Sequence, residues 1–265
     1  MTTLRADSPA KLNLGLEVIR RREDGFHEIA SVFQTITLRD TMELTYPAAG
    51  TRLDVYVHGR RAPELEASNL VSTALQRLAQ SATVPHGTHV RLHKVIPVAA
   101  GLGGASSNAA TALRVARRLW DSSATDESLC RIARALGSDV PFFLTGGTAL
   151  VTGHGEHVEP LPTPADLWFV IVAPRLSRPI PLKTAALYGA LRASDFTSGE
   201  AVASQAVIIG QALPLDSLLL RNAFERPLLD LRPELHSLIS SFKTAGAPFV
   251  ALSGAGPSHY TIVGT

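Results

Sequence analysis

A single cysteine in 265 residues, Cys130, excludes an internal disulfide and fits a reducing compartment. Long apolar runs are also missing, and nothing approaches the roughly 20 residues that a membrane-spanning helix needs. The first residues carry neither a hydrophobic signal core nor an Arg/Ser-rich transit pattern. A net charge of only +2 provides no general field for nucleic acid or an anionic membrane, so any anion must be held by local geometry. These absences predict a cytoplasmic protein with no nucleic-acid or membrane partner; a monomer or weak homodimer is expected. What remains, 45% hydrophobic and 18% charged residues, is the composition of an ordinary globular chain of one large or two small domains.

The most informative stretch runs from Pro97 through Val98, Ala99, Ala100, Gly101, Leu102, Gly103, Gly104, Ala105, Ser106, Ser107 and Asn108 to Thr111. A strand-like segment (Val90 to Ile96) feeds it, and an alanine-rich helix leaves it. Small residues let a phosphate approach the backbone, and the first amides of a helix lack internal partners. Those donors and the positive end of the helix dipole make an anion site, with a nucleotide as the first ligand class. No lysine follows the glycines, which excludes a Walker loop. Ser106 stands at the third glycine position of a dinucleotide fingerprint, and Asp121 ends the same helix instead of following a second strand. A nucleophile elbow fails because Asn108 replaces its last glycine. On the loop alone, a purely structural glycine turn ahead of a helix remains open.

Hydrophobic alternation predicts strands over Lys11 to Ile19 and Phe26 to Leu38, joined across the Asp24-Gly25 turn. Met42, Leu44 and Tyr46, then Leu53, Val55 and Val57, mark further half-buried strands. Ser68 reads as the N-cap of a helix with Val71, Leu75 and Leu78 on one face. Thr125 opens a helix that Gly137 closes. The segment His154 to Asp166, rich in Pro, Gly and charge, is the expected boundary. Beyond it, the apolar run Leu167 to Ala173 predicts a buried strand, and Glu234 to Gly246 an amphipathic helix. Ser194 to Gln205 reads as a surface loop or weak helix. The pattern is that of an α+β protein.

Several further motifs stand in order with the loop. They are Pro9-Ala-Lys11-Leu-Asn13, Asp24-Gly-Phe26-His27, Gly137-Ser-Asp139-Val-Pro141, Asn222-Ala-Phe-Glu225 and Ser253-Gly254-Ala-Gly256-Pro257. The ordered set, from about Pro9 to Tyr260, resembles the GHMP kinases, whose phosphate loop has the form Pro-x-x-x-Gly-Leu-Gly-x-x-Ser-Ser. Within that superfamily, the Ala-Lys-Leu-Asn start and the Asp-Gly-Phe-His hairpin are similar to the kinases that phosphorylate the 2-hydroxyl of a CDP-linked methylerythritol in non-mevalonate isoprenoid precursor synthesis. Other GHMP enzymes, of the homoserine or mevalonate type, and a non-catalytic nucleotide-binding protein of the same fold are the alternatives. The resemblance implies a ribosomal-protein S5-type ATP-binding domain over residues 1–157 and a ferredoxin-like substrate-side domain over 158–265.

The resemblance also implies roles. Asp139 would take the proton of the substrate hydroxyl, and Lys11 would keep it ionised and stabilise developing charge. Pro97 to Ser107 would wrap the phosphates of ATP, with Asn69, Lys94 and Asn108 near adenine. Asn13, Phe26, His27 and Tyr188 would contact the CDP-linked substrate, as would Gly254 and Gly256. For Tyr188 ordinary packing, and for the two glycines a tight inter-strand turn, serve about equally well. Mg²⁺ is expected with ATP, with Ser106 or Ser107 in reach and no carboxylate ligand assignable. Val98-Ala99-Ala100 departs from the usual Met-Gly-Gly, and alanine does not freely take positive φ, so the loop either does not need it there or has shifted.

Overall fold

The computed structural model describes residues 1–81, 87–164, 167–176, 180–181, 183–213 and 220–263. Ala165 and Asp166, at the end of the expected boundary segment, lie outside them. The chain divides into two compact units, each assembled from separate stretches. The first comprises Met1–Lys11, Thr35–Val98 and Gly103–Gly146, and the second Leu12–Gln34, Ala99–Leu102 and Gly147–Thr265. This division differs from a single cut after residue 157.

Two long strands, β1 (Thr2–Arg21) and β2 (His27–Ala48), contribute to both units. The predicted turn joins them. Phe26 N–H donates to the Asp24 side chain at 3.1 Å, and Arg22 N–H reaches Phe26 O at 2.8 Å.

In the first unit, the second half of β2 pairs antiparallel with β5 (Gly87–Lys94). β5 runs parallel to β3 (Arg52–Val57), and β3 turns back into β4 (Arg60–Arg61). Among the described residues it also holds the α-helices α1 (Leu70–Gln80), α2 (Gly104–Leu119), α3 (Asp126–Leu136) and the single turn α4 (Phe142–Thr145). α1 packs on α2 and α3, and α2 on α4. The apolar periodicity of the helices explains this, because Val71, Leu75, Leu78, Ala109, Leu113 and Ala116 are all buried. The cap of α1 is Asn69, not Ser68. The Asn69 side chain accepts from Val71 N–H at 3.0 Å, whereas Ser68 sits at φ +57°, outside the extended region that a cap needs.

In the second unit, Ile29–Gln34 of β2 pairs antiparallel with β6 (Thr148–Gly153), and β6 with β7 (His157–Leu161). A separate antiparallel sheet has the order β8 (Trp168–Val172), β10 (His259–Val263), β9 (Ala251–Leu252). α5 (Lys183–Gly189), α7 (Glu225–Leu231) and α8 (Leu235–Thr244) pack on a core that includes Leu16, Val18, Leu187, Phe224, Leu228 and Leu252, and α6 (Glu200–Gly210) buries Val202 and Ile209. The stretch expected as a loop or weak helix from Ser194 therefore contains the start of an 11-residue helix. β8 is not buried on both faces, since Trp168 and Val170 are exposed. It is an edge strand, and its apolar run is covered on one side only. No helix among the described residues is long and apolar enough to cross a membrane.

Candidate active site

Lys11 enters the first unit on β1 with Ala10 and Leu12 buried on either side. Its ammonium lies 3.4 Å from Asp139 Oδ2, and the two side chains are 3% and 33% exposed. Asp139 owes its place to the end of α3. Gly137 N–H closes the helix on Ala133 O, the chain turns with Val140 N–H on Gly137 O, and α4 begins after Pro141. Burial pushes the Lys11 ammonium below the ordinary lysine range, while the charge and hydrogen bonding of Asp139 pull the other way. Gly103, at φ +70°, passes close to this pair. A Cβ there would lie 2.8 Å from the Phe143 ring and 3.0 Å from Lys11 Cγ. Only glycine combines that conformation with that approach.

Gly103 is also the N-cap of α2, with no side-chain cap, and the first helical bond runs from Ser107 N–H to Gly103 O at 2.9 Å. The amides of Gly104, Ala105 and Ser106 precede that bond and have no intrahelical acceptor. The Ser107 hydroxyl is buried and has no hydrogen-bond partner among the described residues. Helix amides without intrahelical acceptors can donate to a phosphate oxygen, and the orphaned buried hydroxyl can donate to one as well or offer its oxygen to a hard cation.

Lys94 and Asn108, expected near adenine, are held by a residue that the sequence reading missed. Lys94 Nζ lies 2.5 Å from Asp40 Oδ2 and donates to Asn108 Oδ1 at 3.0 Å, and Asn108 Nδ2 donates to Asp40 Oδ2 at 3.0 Å. Asp40 Oδ1 accepts Val95 N–H and Ile96 N–H at 2.7 and 2.8 Å. The wholly buried Asp40 thereby fixes the segment that leads into Pro97, and Lys94 neutralises it. The signal for it was an acidic residue inside a strand of alternating apolar residues. Asn69 spends its amide on Leu65 O at 2.7 Å as well as on capping α1.

In the second unit, Ala99–Leu102 is fastened to the other glycine loop. Ser258 N–H donates to Ala100 O at 3.1 Å, and the Ser253 hydroxyl to Gly101 O at 3.1 Å. A Cβ on Gly101 would lie 2.3 Å from Ser253 O and 2.8 Å from Gly256 N, so the backbones touch there. Gly254 O accepts from Asn222 Nδ2 at 3.0 Å, which explains the Asn222 motif as a brace for this loop. Ala99 does adopt positive φ, +55°, despite its side chain. Lys183, which no motif had singled out, donates to Ala99 O at 2.7 Å and to Gly256 O.

The aromatic residues sort themselves. His27 and Tyr188 stack at 4.3 Å between ring centroids and 13° between planes, and Tyr188 meets Phe224 edge-on at 4.8 Å. Burial, then the Arg21 cation, holds the His27 imidazole below its ordinary range. The neutral ring therefore keeps one donor and one acceptor nitrogen. Phe26 is exposed and turns instead to His154, at 4.9 Å. Asn13 is buried, with Nδ2 donating to Ser31 Oγ at 2.8 Å and its carbonyl accepting from Tyr260 OH at 2.9 Å.

Comparisons with known proteins agree with one another. The family model for the N-terminal domain of GHMP kinases matches residues 69–147. A protein of Dehalococcoides mccartyi strain BAV1, named 4-diphosphocytidyl-2-C-methyl-D-erythritol kinase, is 40% identical over 263 residues, 99% of this chain and 89% of that one. A Bacillus subtilis strain 168 protein of the same name is 36% identical over 97% of this chain and 86% of its own length. The crystal structure of a 4-(cytidine 5'-diphospho)-2C-methyl-D-erythritol kinase superposes with a TM-score of 0.79 at 33% identity, covering 98% of this chain and 90% of that one. A homoserine kinase from Cytophaga hutchinsonii, at 18% identity, a TM-score of 0.70 and 99% and 85% coverage, shares the fold.

Proposed function

The chain belongs to the 4-diphosphocytidyl-2-C-methyl-D-erythritol kinase family of the GHMP kinases, and from that membership we propose that Lys11 and Asp139 form its reacting centre. It is a small-molecule kinase of isoprenoid synthesis that uses ATP as co-substrate and phosphorylates 4-diphosphocytidyl-2-C-methyl-D-erythritol. The homoserine and mevalonate alternatives are not favoured, because those structures share the fold at only 18% and 12% identity.

In the proposed step, the 2-hydroxyl oxygen attacks the γ-phosphorus, the bond to the ADP oxygen breaks, and the hydroxyl proton passes to the Asp139 carboxylate. Lys11 favours the ionised carboxylate and offers its ammonium to the charge that develops on the reacting oxygens. The observation that carries this reading is the asymmetry of the pair: the cation is buried, and the carboxylate is open enough to meet a substrate. Gly101 to Ser107 bind the phosphates through backbone amides, with Ser106 and the orphaned Ser107 hydroxyl beside them. Lys94 and Asn108 act through Asp40, which fixes the segment before the loop, and Asn69 through the backbone at the start of α1.

His27 and Tyr188 form the stacking surface for cytosine, with Phe26 at its rim and Asn13 as a further substrate contact. The nucleotide role proposed for residues 1–157 and the substrate role for 158–265 overlap, since Asn13 and His27 are substrate contacts within the first stretch. Mg²⁺ supplies charge neutralisation on the phosphates when bound. No cluster of three or more His, Cys, Asp or Glu offers it an all-protein cage among the described residues. The Ser107 hydroxyl fits a cation that keeps its waters and phosphate ligands. A cytoplasmic location is also proposed, which the single cysteine of the chain fits.

The test is ATP-dependent phosphorylation of 4-diphosphocytidyl-2-C-methyl-D-erythritol by the purified protein with Mg²⁺, beside Asp139→Asn. Turnover that collapses by about 10²–10⁴ in the variant supports the mechanism. A fully active variant discards Asp139 as proton acceptor, and an inactive wild type that still binds ATP discards the acceptor substrate.

A further inference from the structure

Lys183 is the one side chain among the described residues seen donating to both glycine loops. It stands at the start of α5 and donates from Nζ to Ala99 O at 2.7 Å and to Gly256 O. Two of its three N–H groups are thereby spent on carbonyls. No carboxylate forms an ion pair with it among the described residues, and the side chain is only half-buried. Ala99 stands at φ +55°, a conformation that an L-residue adopts only against a steric penalty and that persists where the surroundings enforce it. The bond from Lys183 holds the carbonyl of this residue and ties it to a second loop, beside the Ser258–Ala100 and Ser253–Gly101 bonds.

We propose that Lys183 is a positioning residue of the phosphate loop. It clamps Ala99–Leu102 against Ser253–Gly256, holds Ala99 in its left-handed conformation, and directs its remaining N–H and its uncompensated charge to a phosphate of the bound nucleotide. This rests on the nucleotide reading of the loop given above. A half-buried ammonium with two carbonyl partners and, among the described residues, no carboxylate is a site still short of an anion. Burial alone lowers this ammonium to about 8, which accords with a cation whose counter-charge arrives with the ligand.

The experiment compares wild type with Lys183→Met, Lys183→Arg and Lys183→Met in an Ala99→Gly background. It reads kcat and KM for each substrate, and the affinity for ADP with Mg²⁺ by titration calorimetry. Lys183→Met is expected to raise KM for ATP and the ADP dissociation constant by about tenfold, the worth of a hydrogen bond to a charged group. It should leave kcat and KM for the CDP-linked substrate within about threefold, below the effect of a single lost hydrogen bond of ordinary strength. Lys183→Arg should recover part of the loss. In the Ala99→Gly background the penalty should shrink, because glycine takes the left-handed conformation without the brace.

Unchanged ADP affinity in Lys183→Met overturns the proposal. So does a rise confined to KM for the CDP-linked substrate, which would place the anion elsewhere. If Lys183→Met does not fold, weakened ADP binding in soluble Lys183→Arg supports the proposal, and unaltered binding in that variant overturns it. The calorimetric arm does not depend on the acceptor. A protein inactive on the expected substrate, whose ADP affinity still falls in Lys183→Met, refutes the kinase assignment and leaves this inference standing.

Discussion

The ammonium of Lys11, almost wholly buried, stands 3.4 Å from an oxygen of Asp139 that remains a third exposed. Desolvation outweighs the attraction of Asp139 in setting the proton affinity of this lysine, so the cation is held at an energetic cost to the fold. Lys11→Met should therefore separate activity from stability. Turnover is expected to fall by about 10²–10³, the scale of a lost charge-stabilising donor. The unfolding temperature should hold or rise, because an apolar side chain replaces a buried charge and Asp139 can hydrate. Steady-state kinetics beside thermal unfolding checks this. A matching drop in both would make the pair a structural ion bridge.

Asp40 carries the opposite expectation. It is wholly buried and binds Lys94, Asn108 and two amides of the segment before the phosphate loop. Asp40→Asn leaves Lys94 buried without a counter-charge and should destabilise by about 3 kcal/mol. Lys94→Met in the same chain should return part of that loss. Chemical denaturation of the single and double variants decides it; additive losses would mean that the pair is not coupled.

How much of this was open to inspection in the sequence depends on range. The Asp24-Gly25 hairpin and the inner face of α1 are local patterns, and the structure has them where the residues place them. The cap of α1 was misread by one position, since Ser68 and Asn69 are both good caps and only the backbone angle chooses between them. Asp40 falls between the strands expected over Phe26 to Leu38 and from Met42 onward, and its partners lie 54 to 68 residues away, so a lone acidic residue gives no hint of them. Lys183 is harder still. Its partners are carbonyls, which every residue possesses, so no residue type at Ala99 or Gly256 could have announced the bond. The Lys11–Asp139 pair was legible only because two short motifs matched a family in order; neither signals the other by itself.

Gly103 lends itself to a steric test. A Cβ at this position meets the Phe143 ring at 2.8 Å and Lys11 Cγ at 3.0 Å, on a backbone at φ +70°. Gly103→Ala should cost about 1–3 kcal/mol from overpacking and strain. It should also lower kcat more than it raises KM for the CDP-linked substrate, because the displaced atom is on the stem of Lys11. An intact kcat with reduced stability would show that Phe143 alone gives way.

The His27–Tyr188 stack, 4.3 Å between centroids, offers a planar surface to a pyrimidine. Tyr188→Phe keeps the ring and should leave KM for the CDP-linked substrate nearly unchanged. Tyr188→Ala removes it and should raise that KM about tenfold, within the range of one base–aromatic stack, with KM for ATP unaffected. Equal effects of both variants would assign the contact to the hydroxyl.

The ammonium of Lys183 gives a pH prediction with two readouts of opposite sign. Desolvation lowers it from 10.5 to about 8. Below 8 the folded and unfolded chains both hold this proton, and the cost of burying the charge is present in full. Between 8 and 10.5 the unfolded chain holds more of it than the folded one, so stability gains from this group as pH rises through that window. Nucleotide binding moves the other way, because a neutral amine no longer attracts phosphate, and ADP affinity should weaken as pH passes 8. Lys11 is also lowered by burial and adds to the stability slope. The quantity to measure is therefore the difference between wild type and Lys183→Met. In the variant, the ADP affinity profile should flatten above pH 8, and the stability gain should shrink to what other groups supply. Profiles that stay parallel through this range would mean that Lys183 does not change charge there.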